Sequence, residues 1–221
     1  FTNSLLVGTD STGTLSSADG NTGVGTGVFG ALTSGDNNVA VGLNALDLNT
    51  SGSNNTAVGK IALCANTTGT CNVAVGVEAL DSNTTGSSNI GIGTDSLQGN
   101  TTGSSNVAIG DDAMKTNSTA SNNTAVGTAA LCTNSTGTEN VSVGKCALAA
   151  NTTASYNTAV GFESLHDNTT GADNTAFGDS ALHKNTTGTC NVSVGAYSLL
   201  TNTTGVENTA IGRSALQANT T

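Results

Sequence analysis

The chain has 221 residues, a formal net charge of −10, and no Pro or Trp. Charged residues make up 9% and aromatics 3%, against about 25% charged in ordinary globular chains, so a conventional globular core is not expected. Five Lys plus Arg against fifteen Asp plus Glu argue against a nucleic-acid partner, because phosphate binding needs clustered cations. No run of about 18 apolar residues is present to form a transmembrane helix.

In chain order, Phe1-Thr2-Asn3-Ser4 lacks the basic start of a secretory signal, and the absence of an initial Met predicts a processed chain or a fragment. A glycine series then begins at Gly8 and recurs every seventeen residues, through Gly25, Gly42 and Gly59, without interruption to Gly212. Thirteen units of seventeen account for the whole length. We number each unit from this glycine as position 0. The first two units, residues 1–34, are degenerate: Ser4 replaces an Asn at −4, and Leu15 and Leu32 replace an Asn at +7. They read as a start or docking end, and residues 35–221 as the regular array.

Each regular unit opens with Asn at −4, Val or Thr at −3, Ala at −2 and Val or Ile at −1, as in Asn72-Val-Ala-Val-Gly76. A strict short period signals a solenoid. Seventeen residues suit one coil of a narrow parallel β-roll, with two short strands and two turns. The predicted fold is therefore an all-β solenoid of thirteen coils. Side chains alternate along a strand, so −3 and −1 share one face, while −2 and 0 share the other, where only small groups fit. The second half carries Ala or Ser at +3 and Leu at +4, from Leu46 to Leu216 with Met114 in the series. This column reads as a stacked core. A local helical turn about Asp112-Ala-Met-Lys115 is the alternative for this segment. The unit closes on Asn-Thr-Thr-Gly, whose Asn and Gly favour a type I turn at the corner. The missing Pro agrees, because each backbone N–H is needed for ladders between coils. One Leu, one Val and two Ala per coil, at about 25 cal/mol per Å², stabilise a coil too weakly to fold alone. Stacking makes up the difference. Thirteen coils predict a rod of roughly 60 Å.

The Asn-x-Ala-Val/Ile-Gly unit, seen best in Asn72–Gly76 and Asn106–Gly110, resembles the YadA-like head repeats of trimeric autotransporter adhesins. It is also similar to the shaft repeats of phage-type tail fibres. The resemblance covers residues 21–221, although the unit is longer than the adhesin repeat and adds the Asn-Thr-Thr-Gly turn. It implies a left-handed parallel β-roll, a homotrimer, exposure outside a cell or virion, and binding to surface glycans or receptors.

Several side chains are candidate sites. Asn49, Asn66, Asn83, Asn100, Asn117, Asn134, Asn151, Asn168, Asn185, Asn202 and Asn219 each head an Asn-x-Ser/Thr sequon. Either this edge carries N-glycans or the turn consensus spells the sequon, and an inward amide ladder would forbid glycans. Cys64 and Cys71 share a coil and could bridge, and Cys132 and Cys146 occupy adjacent coils; free, small buried residues are the competing reading. Glu78, Asp95 and Asp112 stack at +2, so either a cation binds them or they splay into water. His166 and His183 stack at +5 and read as a surface ladder, since two His without a third ligand make a weak metal site.

No catalytic motif is present: no nucleophile elbow, zinc-protease signature or phosphate loop, and no cofactor is implied. The sequence expectation is thus an extracellular, cell-surface or virion fibre that is not an enzyme and that stacks end to end on itself. An adhesin or receptor-binding head is the alternative. An ice-binding solenoid is a third, because Thr at +8 and +9 forms columns along the rod.

Overall fold

A computed structural model describes residues 4–8 and 17–221. The Leu15 substitution lies outside the described residues. Each coil contributes one three-residue strand: β1 (Leu5–Val7), β2 (Thr22–Val24), β3 (Val39–Val41), and so on at seventeen-residue intervals through β10 (Thr158–Val160) and β11 (Thr175–Phe177) to β13 (Thr209–Ile211). All thirteen lie in one sheet in sequence order, and every pairing is parallel. The register advances by one coil per strand, as in Val39 opposite Thr56 and Ala40 opposite Ala57. The chain is a parallel β-solenoid. The sheet runs without a break through β1, β2 and β3, across the junction between degenerate and regular units.

The second half of each coil differs from the expected second strand. It is a series of tight turns, and no helix occurs among the described residues. The reason lies in the backbone. The +4 residue has φ between 47° and 58° in every coil from Phe29 to Leu216, a left-handed conformation that breaks both strand and right-handed helix. The +2 residue repeats this, from Asn44 at 55° to Ser214 at 56°. From Phe29 to Leu216 the +4 column accepts Leu, Met and Phe but no β-branched residue, as expected where branching at Cβ conflicts with positive φ.

The core is narrower than sequence bookkeeping suggests. Ala40, Ala45 and Leu46 are fully buried, as are their equivalents in the regular coils as far as Leu199. The strand puts Ala inward, so Val or Ile at −1 faces outward, with Val75 36% and Ile109 38% exposed. No Val joins the core at that position. Instead, two asparagines in every regular coil before the last are fully buried, such as Asn38 and Asn49. Buried serines keep the same pattern by bonding locally: Ser142 Oγ donates to the Ala147 carbonyl at 2.7 Å.

Asparagine suits this interior because its amide both donates and accepts. At −4, each side-chain oxygen accepts the backbone N–H of the next Asn, as Asn38 Oδ1 does from Asn55 at 2.9 Å. At +7, each Nδ2 donates to the Oδ1 of the preceding coil, as Asn100 does to Asn83 at 2.8 Å. In the first coil the Ser4 hydroxyl takes the −4 role and accepts from Asn21 N at 2.9 Å. In the second, fully buried Leu32 fills the +7 site, and the amide ladder there starts at Asn49. Among the described residues no buried side-chain nitrogen or oxygen lacks a partner.

Candidate functional site

The +7 asparagines are structural in this fold. Asn49 through Asn202 are fully buried, and Asn219, in the last coil, is half-buried. Asn100 Nδ2 donates to both Asn83 Oδ1 and the Gly103 carbonyl, so both amide hydrogens are used. An N-glycan replaces one of those hydrogens and needs open space, and neither condition is met within the folded column. The sequon here is the spelling of a turn, in which Asn caps the carbonyl three residues on.

The +8 hydroxyls are also engaged. Thr84 Oγ1 donates to the Thr101 carbonyl at 3.0 Å, and the same bond recurs along the column. The five cysteines are free thiols, so the Cys64–Cys71 bridge does not form. Cys64 is half-buried in the +5 column, whereas Cys71 is exposed at the left-handed −5 corner with φ 59°. Burial, then the charges of Asp47 and Asp81, push the Cys64 thiol up. Burial, then neighbouring Cys146, does the same to Cys132. Both shifts reduce the reactive thiolate fraction.

The carboxylates of the acidic column Glu78, Asp95 and Asp112 are paired with side chains of this chain. Side chains from the +5 column reach back to it. Lys115 Nζ lies 2.8 Å from Asp95 Oδ2 and 2.8 Å from Asp112 Oδ1. Gln98 Nε2 donates to Glu78 Oε2 at 3.0 Å. Hydrogen bonds to Asp112 and then Asp95 hold the Lys115 ammonium above the usual lysine range. A side-chain cation thus sits where a metal was one expected occupant.

The densest chemistry lies on two stacked turns, the one that follows β10 and the one that follows β11. The His166 and His183 rings stack with centroids 5.1 Å apart and planes 9° apart. This confirms the expected stacking, and the +6 position supplies what the sequence reading lacked. His166 Nδ1 lies 2.6 Å from Asp167 Oδ1. His183 Nδ1 lies 3.2 Å from the Glu163 carbonyl and 3.8 Å from Glu163 Oε2. Lys184 Nζ lies 3.3 Å from Asp167 Oδ2. Burial raises the Asp167 carboxyl, but hydrogen bonds from His166 and Lys184, with the charges of Lys184 and His183, outweigh it and leave the group below its ordinary value. The seventeen-residue period could have revealed Asp167 and Lys184 as vertical neighbours at +6.

The described residues enclose no pocket, so any ligand would meet an open surface. No protein family, curated protein or solved structure matches this chain.

Proposed function

We propose that this chain is the shaft of an extracellular or virion-borne fibre, built to hold length and to associate with copies of itself. The observation that carries this reading is the unbroken coil-to-coil bonding. From β2 to β13 each coil repeats the same backbone ladder, with Thr22 N to Asn38 O at 2.8 Å recurring as Val192 N to Asn208 O at 2.8 Å. The two side-chain amide ladders run beside it. Such an array transmits force along its axis through nearest neighbours.

Two surfaces support self-association. The outward −1 column forms an apolar stripe the length of the sheet, including Val58, Val75, Ile92, Ile109 and Phe177. Contiguous apolar surface of this kind marks a contact face, and a second copy with the same period matches it register for register. The coil-to-coil ladder is the second, because the pairing that joins β12 to β13 is repeated by any further coil of the same period, including one from another copy.

Electron microscopy and sedimentation of the purified chain test the proposal. Rods joined end to end or side by side at high concentration are expected. Ile109→Lys, on the outward face, should abolish the lateral form without changing the circular dichroism spectrum. A strictly monomeric short rod at all concentrations overturns it.

A further inference from the structure

We propose that His166, Asp167 and His183 bind one divalent transition-metal ion, Zn²⁺ being the first to test, and that the ion clamps two consecutive coils. Among the described residues this is the one group of three His, Cys, Asp or Glu side chains that could converge on an ion. One ligand atom from each lies within 4.8 Å of the others. Tetrahedral zinc with bonds of about 2.0–2.1 Å requires ligand atoms about 3.4 Å apart. Closing the group therefore draws the half-buried ligand atoms together by about 1 Å and turns one imidazole relative to the other. Two imidazoles and one carboxylate suit borderline metals such as zinc, nickel or copper, not the all-oxygen shells of calcium or magnesium.

The surroundings provide the outer support that metal-binding histidines need. A carbonyl only accepts, so the contact from His183 Nδ1 to the Glu163 carbonyl at 3.2 Å places the proton on Nδ1. This leaves the Nε2 lone pair available. The rings stack with planes 9° apart, so their in-plane lone pairs run side by side, and one ring turns out of the stack for both to meet a single ion. Glu163, with its carboxylate 3.8 Å from His183, adds negative charge to the site. Lys184 is the competing cation, 3.3 Å from Asp167 and more than half exposed. It is free to swing into solvent when an ion arrives. The ligands come from both coils, so an ion bound only by the folded state also stabilises their junction.

The chain contains two histidines, so an imidazole NMR spectrum reports on this site alone. Titrating the reduced, chelator-treated full chain with Zn²⁺ should shift both imidazole sets together, saturating at one equivalent. His183→Ala should abolish the His166 response while circular dichroism stays unchanged. Asp167→Asn should weaken binding by about 10–100-fold, and Lys184→Gln should tighten it several-fold. Zinc taken up with both imidazoles unmoved, which would indicate thiol binding, overturns the proposal. So does a response of His166 that survives His183→Ala, or an Asp167→Asn variant with unchanged affinity.

Discussion

Asn38 and Asn49, one at each end of a coil, donate to the same acceptor: both Nδ2 atoms lie 2.9 Å from the Gly52 carbonyl. The two corners of the coil are thereby tied across its interior, and each Asn also continues a vertical ladder. Asn38 Oδ1 receives Asn55 N at 2.9 Å, and Asn49 Oδ1 receives Asn66 Nδ2 at 2.7 Å. A buried polar core of this kind is acceptable only when every group is paired, and here it is.

The first prediction concerns one rung of that ladder. Asn100→Ala takes the Asn100 donor from Asn83 Oδ1 and removes one of the two bonds at the Gly103 carbonyl and one of the two made by Asn117 Nδ2, which donated to Asn100 Oδ1 at 2.7 Å. Leaving buried partners unpaired costs about 1–3 kcal/mol each, so a loss of roughly 3 kcal/mol is expected. In a nearest-neighbour array the damage stays local. Hydrogen exchange should therefore show lost protection in the coils around Asn100 and near-parent protection at the far end of the rod.

The second prediction separates two glycine columns. Gly110 has φ 136°, and an added Cβ would sit 2.6 Å from the Gly127 carbonyl carbon and oxygen. Both strain and backbone clash oppose a side chain there. Gly103, at +10, has no positive φ, and the same column already holds buried Ala120 and Ala154. Its close contacts with the next coil are therefore relieved by small local shifts. Gly110→Ala should cost more than about 3 kcal/mol, while Gly103→Ala should stay within about 1 kcal/mol. Thermal denaturation of the pair decides; equal losses would contradict the assignment.

These columns show how much of the fold was legible. The period, the parallel strand that ends before each position-0 glycine and the Leu46–Leu199 core follow from spacing alone, because each column repeats one environment. The inward asparagines were not predictable in the same way. Asn at a turn and Asn in a buried ladder have the same sequence, and only the neighbouring coil supplies the partner. The missing second strand has a related cause. Leu46 and its equivalents read as strand or core by apolarity, but their positive φ is set by the closing of the coil. Of the site around His166, the stack was visible from the period, whereas the part played by Asp167 depends on where its turn points the side chain.

Ile61 provides the third prediction. It is a β-branched residue at φ 62°, in a +2 column where Asn44 sits at 55°. Left-handed backbone costs ordinary residues roughly 1–2 kcal/mol, and Asn tolerates it better. Ile61 is only half-buried, so little packing is lost on replacement. Ile61→Asn should stabilise the chain by about 1 kcal/mol in urea unfolding. A destabilised variant would show that the Ile61 side chain packs more effectively than its exposure indicates.

The last prediction is a pH dependence. Burial, followed by the charges of Glu78 and Asp95, raises the Asp81 carboxyl above its ordinary value of 3.8, against hydrogen bonds from Ser82. The Ser82 hydroxyl donates to Asp81 Oδ1 at 2.8 Å without offsetting the shift. A folded value above the unfolded one means that the folded state holds the proton more tightly. The associated stability is fully present below the unfolded value and is lost as pH rises through the folded value. At neutral pH the ionised carboxylate is therefore a net cost. Asp81→Asn keeps the shape and removes the charge, so its melting midpoint should exceed the parent's at pH 7. The difference should close as pH falls below the ordinary carboxylate value, where Asp81 is protonated in both states. Asp167 gives the internal control. Its value is lowered overall, its pairing stabilises the fold above the unfolded value, and Asp167→Asn should lower the midpoint at pH 7. Two Asp→Asn changes with opposite signs at one pH cannot arise from net charge alone. Parallel shifts of both midpoints would refute the local assignment.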